Sequence, residues 1–110
     1  MKVQVHAIHF SADSKLIDVI QAKLNKLDTF YDRITGGDVF LKLEQGEGKV
    51  KEKLLEIKLA VPGAVLFVKE RARSFEEALD LALNALAEQI KRFKEKVIQS
   101  TKSRTKLIEE

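Results

Sequence analysis

The sequence predicts an α+β protein, a two-layer sandwich of β-α-β-β-β-α order with a four-stranded sheet and both helices on one face. Three observations lead there. Apolar and polar residues alternate in four short stretches, the period of a half-buried strand. Two longer stretches repeat apolar residues every three or four positions, the period of an amphipathic helix. The length, 110 residues, is that of one domain, and such a domain buries roughly two thirds of its unfolded surface without needing staples.

Each element has its own local warrant. Val3, Val5 and Ala7 occupy every second position of a first strand read over Met1–Phe10. Ser11-Ala12-Asp13-Ser14 interrupts it, and the Asp13 carboxylate can accept from the first free helical amides as an N-cap. Leu16, Ile20, Leu24, Leu27 and Tyr31 follow at steps of four, four, three and four, a single stripe along a helix of about five turns. Its shoulders differ in charge, with Lys15, Lys23 and Lys26 on one side and Asp28 and Asp32 on the other. Beyond Gly36-Gly37, the alternation of Val39, Leu41 and Leu43 marks a second strand, and Gln45–Lys49 reads as a loop. The third strand turns Leu55, Ile57, Leu59 and Val61 inward. Pro62-Gly63 fits the centre of a type II turn, so a fourth strand, Ala64 to about Arg71, completes a hairpin.

Ser74-Phe75-Glu76-Glu77 fits a capping box. The second helix then carries Phe75, Leu79, Leu83, Leu86, Ile90, Phe93 and Val97 as a stripe of about six turns. Ala78 and Ala82 beside the stripe are small enough to let this helix sit close to the sheet. The domain is read over 1–100, and the aperiodic polar stretch 101–110 as a flexible tail.

Several kinds of chemistry are excluded. Cysteine is absent, which removes disulfides, thiol nucleophiles, thiolate zinc sites and iron–sulfur clusters. His6 and His9 lie three apart on a strand, facing opposite ways, so they cannot share a metal. No paired carboxylates sit in an apolar setting, and no serine or threonine has a nucleophile's context. The expectation is a non-enzyme without metal or cofactor. No apolar run approaches the ~20 residues of a membrane span, and the opening residues lack a signal peptide's apolar stretch, so a cytoplasmic protein is expected.

Charge is unevenly placed. Residues 91–106 hold seven bases, Lys91, Arg92, Lys94, Lys96, Lys102, Arg104 and Lys106, against Glu95 alone. That stretch is +6 within a chain of net +3, leaving −3 elsewhere. Cations in the last turns complement the helix macrodipole, which accounts for two or three of them; the remainder points to a polyanion-binding surface. Lys91 and Lys94 fall on one flank of the stripe, Arg92 and Lys96 on the other. Phe40 and Phe67 are placed on the sheet face away from the helices. Aromatics there could stack bases as on an RNA-recognition sheet, but that module needs a second βαβ unit and the order of elements differs, so burial at an edge or a partner contact is preferred.

Lys26-Leu27-Asp28-Thr29-Phe30-Tyr31-Asp32-Arg33-Ile34 resembles the "K-L-x-x-Y/F-F/Y-D-R-I" segment of the ribosome hibernation-promoting factors, the family that includes the ribosome-associated inhibitor. Ala22-Lys23, the strand Val39-Phe40-Leu41-Lys42-Leu43-Glu44, the turn Val61-Pro62-Gly63 and the helix end Gln89–Lys96 are similar to further family segments, in register over residues 1–98. The resemblance implies a short-form factor that silences translation in stress or stationary phase. Its partner would be the small ribosomal subunit, where it would contact rRNA phosphates and occlude the mRNA and tRNA channel. By matched position, the rRNA-binding residues would be Lys23, Lys26, Arg33, Lys91, Arg92, Lys94 and Lys96. The fold also resembles a double-stranded RNA-binding domain with an extra leading strand.

The chain departs from the family at Ala85, Ala87 and Glu88, where many relatives carry bases. Glu88 would oppose a phosphate or pair with Arg92 four residues on, and Lys102, Arg104 and Lys106 are candidates to replace the missing contacts. Ending at residue 110, the chain is expected to lack the long form's dimerisation domain, so pairing of ribosomes would need a separate dimerising factor; with no stripe left over for self-association, a free monomer is expected. The alternative from a different class is a protein-interaction module using a sheet edge or the exposed sheet-face aromatics, without rRNA binding.

Overall fold

In the computed structural model, the described residues are 1–45 and 51–109, with side chains described for 1–44 and 52–97. The strands are β1 (Lys2–Ala7), β2 (Gly36–Gln45), β3 (Lys51–Val61) and β4 (Ala64–Ala72), and the helices are α1 (Ser14–Asn25) and α2 (Phe75–Glu109). They form one four-stranded sheet in the order β1-β2-β3-β4. β1 runs parallel to β2, with Val5 opposite Val39; the other pairings are antiparallel, with Val39 opposite Ile57 and Ile57 opposite Val68. This is the predicted α+β architecture, with α1 supplying the crossover that a parallel pair requires.

The core lies between sheet and helices. Val39, Leu41, Leu55, Ile57 and Leu59 from the sheet meet Ile20 and Leu24 of α1 and Leu79, Leu86 and Ile90 of α2, all essentially inaccessible to water. Ala78 and Ala82 are fully buried, as a close helix-to-sheet approach demands. Both helix starts are capped by the expected side chains: Asp13 Oδ1 accepts from the Lys15 amide at 3.2 Å, and Ser74 Oγ from the Glu77 amide at 3.1 Å. Gly63 has φ +79°, the left-handed conformation that a type II turn needs at its second central residue.

The boundaries differ in three places. β1 stops at Ala7, short of Phe10, and His9 leaves the strand with φ +64° while Phe10 turns back to stack on Phe75 at 5.6 Å. His6 instead lies against Phe40 (4.9 Å between rings) and 3.3 Å from Asp38. The first helix is shorter than five turns: it tightens after Asn25 into a 3₁₀ turn, Lys26–Thr29, stabilised by Thr29 Oγ1 donating to the Lys26 carbonyl at 2.6 Å. At the other end α2 continues through 101–109, where a flexible tail is expected. That stretch lacks glycine and proline, and Lys102, Arg104, Lys106, Leu107 and Glu109 are good helix formers, so lost periodicity removes a packing stripe but not helix propensity. The loop expected over Gln45–Lys49 lies, from Gly46 on, outside the described residues.

Strand alternation puts Phe40 and Phe67 on the face away from the helices. Lys58 Nζ sits 5.5 Å from the centre of the Phe40 ring, and Phe67 is 45% exposed. Leu54 shares that face yet is only 1% exposed; its register neighbours Lys42 and Arg71 pair with Glu56 and Glu44. Long basic side chains tied down in this way shield an apolar residue with their stems.

Candidate nucleic-acid interface

Two adjoining hollows form a groove between the C-terminal end of α1, its 3₁₀ extension and the middle of α2. The one toward the start of α2, about 310 Å³, is lined by Lys23, Lys26, Leu27 and Phe30 on one side and Asp80, Leu83, Asn84 and Ala87 on the other. The second, about 430 Å³, shares Phe30 and Ala87 and adds Glu88, Ile90, Lys91, Lys94 and Glu95. The α1 stripe dictates this arrangement. With Ile20, Leu24 and Leu27 buried, Lys23 and Lys26 fall on the shoulder that faces α2. Likewise Leu86 and Ile90 turn inward on α2 and leave Ala87, Lys91 and Lys94 lining its near flank.

The groove thus gathers four of the seven expected residues, Lys23, Lys26, Lys91 and Lys94. Arg92 and Lys96 stand on the far flank of α2, beside Leu66, Gln89 and Phe93 in a smaller hollow near β4. Arg33 is exposed in the connection to β2, outside both grooves.

The cations also differ in how they are engaged. Lys23 is half-buried and donates to Asp80 Oδ1 at 2.6 Å, tying α1 to α2. It therefore serves an internal bridge as well as a surface. Lys94 donates to the Phe30 carbonyl at 2.8 Å. Arg92 pairs with Glu88 at 4.0 Å, the expected i,i+4 partner. Lys26, Arg33, Lys91 and Lys96 are exposed, with no ion-pair partner among the described residues. Ala85 packs against the core, whereas Ala87 borders the groove. Lys102, Arg104 and Lys106 lie where side chains are not described.

Two groove features escape a reading of the stripe alone. Asp80 sits in the second helix's acidic start, and only tertiary structure shows that it answers Lys23 across 57 residues. Phe30 is 56% exposed although its neighbour Tyr31 packs edge-on against Phe93 at 5.9 Å. An aromatic pair in sequence could have flagged that one ring must point away from the core. The Lys23–Asp80 bridge predicts a stability effect: Lys23→Glu sets two carboxylates against each other and should cost about 1 kcal/mol or less in urea unfolding. Combining it with Asp80→Lys should recover most of that loss.

Among the described residues no cluster of His, Asp or Glu is arranged to hold a metal ion, and no helix is long and apolar enough to cross a membrane. The groove brings together four ammonium groups, two of them already engaged by Asp80 and the Phe30 carbonyl, beside the carboxylates of Asp80, Glu88 and Glu95.

Known proteins are similar to this chain in sequence or in structure. The ribosome hibernation promoting factor of Pseudomonas putida is 28% identical over 96 residues, 87% of this chain and 89% of the relative. That of Azotobacter vinelandii is 29% identical over 99 residues, covering 90% and 88%. The Deinococcus radiodurans ribosome hibernation promotion factor is 29% identical over 77 residues, 70% of this chain but 40% of that longer relative. Among solved structures, the N-terminal domain of Thermus thermophilus Protein Y superposes with a TM-score of 0.73 at 28% identity, covering 84% of this chain and 99% of that one. A ribosomal subunit interface protein from Coxiella burnetii shares the fold with a TM-score of 0.74 at 17% identity, covering 86% and 98%. Residues 3–98 match the sequence profile of the Sigma 54 modulation protein / S30EA ribosomal protein family, and the chain belongs to that family.

Proposed function

We propose that this protein is a ribosome hibernation factor that binds the small ribosomal subunit through rRNA phosphates and silences translation by occupying the path of mRNA and tRNA. The observation that carries the reading is the convergence of Lys23, Lys26, Lys91 and Lys94, from two helices distant in sequence, on one groove. Phosphates spaced along an RNA backbone meet such a surface at several points at once, which gives affinity through charge neutralisation and shape rather than base identity. Arg92 and Lys96 on the opposite flank of α2, and Arg33 beyond α1, extend the contact to neighbouring backbone. The action is steric, needs no cofactor, and takes place in the cytoplasm. When free, the protein is a monomer.

Co-sedimentation with vacant small subunits tests this. Near one-to-one binding is expected, competed by mRNA and tRNA, and weakening by about a thousandfold between about 50 and 200 mM salt if half a dozen phosphates are neutralised. Protein that stays in the supernatant at every salt concentration overturns the proposal. A second reading has its own observation: Val65 and Phe67 on the open sheet face are 65% and 45% exposed. A protein partner docked there would give binding that barely responds to salt.

A further inference from the structure

We infer that Phe30 is a stacking platform for an unpaired RNA base, so that the groove selects a looped or single-stranded segment over a regular duplex. The inference rests on the rRNA-binding reading and names the part of the RNA that the groove takes.

The ring is presented, not left over. Phe30 directly follows the 3₁₀ turn, where its amide donates to the Leu27 carbonyl at 3.0 Å and its carbonyl accepts from Lys94 Nζ at 2.8 Å. Both backbone groups are thereby held, and the ring is 56% exposed. The core does not need it, since Tyr31 supplies the contact to Phe93. Phe30 is common to both hollows of the groove, and across from it stands Ala87, a side chain that leaves open space. Ile90, itself buried in the core, also lines the second hollow.

The rim around this apolar spot is cationic where it is not already paired. With Asp80 engaged by Lys23 and Glu88 by Arg92, the remaining charges bordering Phe30 are Lys26, Lys91 and Lys94 against Glu95. An exposed aromatic face set among lysines is the arrangement that binds single-stranded nucleic acid, with the backbone tracked by charge and a base laid on the ring. A duplex keeps its bases inside the stack and offers none to Phe30.

The chain contains no tryptophan, so Phe30→Trp introduces a single indole fluorophore at the platform. Its fluorescence should be quenched on adding small subunits or protein-free small-subunit rRNA, and quenched by single-stranded oligo(A) but not by a matched duplex at equal phosphate. Phe30→Leu should lose about tenfold in affinity for small subunits while the slope of log affinity against log salt stays as in the wild type, because no charge has changed. Thermal melting of both variants verifies that they are folded. Wild-type affinity in Phe30→Leu, with salt-sensitive binding intact, overturns the platform and leaves the rRNA-binding reading standing. Quenching by intact subunits but not by protein-free rRNA also overturns it, since the ring would then meet a ribosomal protein. If the wild type fails to bind subunits at all, the reading beneath falls, and the platform with it.

Discussion

Replacing Lys26 and Lys91 together by glutamate is expected to weaken binding to the small subunit by about a hundredfold at low salt, with thermal stability almost unchanged. Both ammonium groups are exposed and lack an ion-pair partner among the described residues, so no internal contact is lost. They lie on opposite walls of one groove, one from the 3₁₀ turn after α1 and one from α2. A polyanion held between them would lose two attractions and meet two repulsions. Titration at several salt concentrations gives the second readout. Each phosphate contact removed lowers the slope of log affinity against log salt by about one, so the double variant should be flatter by about two. An unchanged affinity would remove the groove from the interface. Lys23 is a poorer choice for this experiment than its position on the helical shoulder indicates, because its bridge to Asp80 mixes a folding effect into the binding one.

The largest effect on stability is expected at Leu86, fully buried where α2 meets the sheet. Leu86→Ala should cost between about 2 and 5 kcal/mol in urea unfolding, the loss of transfer energy plus the cavity left behind. In a domain of this size that corresponds to a fall of roughly ten degrees or more in the melting midpoint. Below the transition the folded fraction should still bind the subunit with unchanged salt dependence, since Leu86 is not among the residues lining the groove. A loss under about 1 kcal/mol would mean that α2 does not close the core.

The two variants separate what was legible in the sequence from what was not. Leu86 belongs to a stripe, and stripes follow from periodicity. The same holds for Val39, Ile57 and Leu59, whose alternation places them inward, and for Asp13, Ser74 and Gly63, each a local signal with a local geometry. The order of elements and the layering follow from these alone. The groove is different, because it is a relation between helices. That Lys23 and Lys26 would stand on the α2 side depends on how the crossover sets α1 down, and that Lys23 would find Asp80 depends on the packing angle. The break into a 3₁₀ turn at Lys26 was masked by a stripe that continues unbroken through Leu27 to Tyr31. Burial of Leu54 on the open face ran against alternation because its cover comes from side chains of neighbouring strands, Lys42 and Arg71.

The parallel pairing of β1 with β2 bears on how the chain acquires its structure during synthesis. Lys2 must wait for Gly36 before its strand has a partner, whereas the β3–β4 hairpin closes across the few residues between Val61 and Ala64. The hairpin is thus the pairing of smallest sequence separation, and the β1–β2 pairing carries the larger loop-closure cost. Until α2 emerges, Val39, Leu41, Leu55, Ile57 and Leu59 form an apolar sheet surface with most of its cover missing. A nascent chain stalled before Phe75 would hold that surface open to aggregation and chaperone capture. The helix that carries half of the groove is thus also the last piece to seal the core, and the basic groove cannot form until the end of the domain has been made.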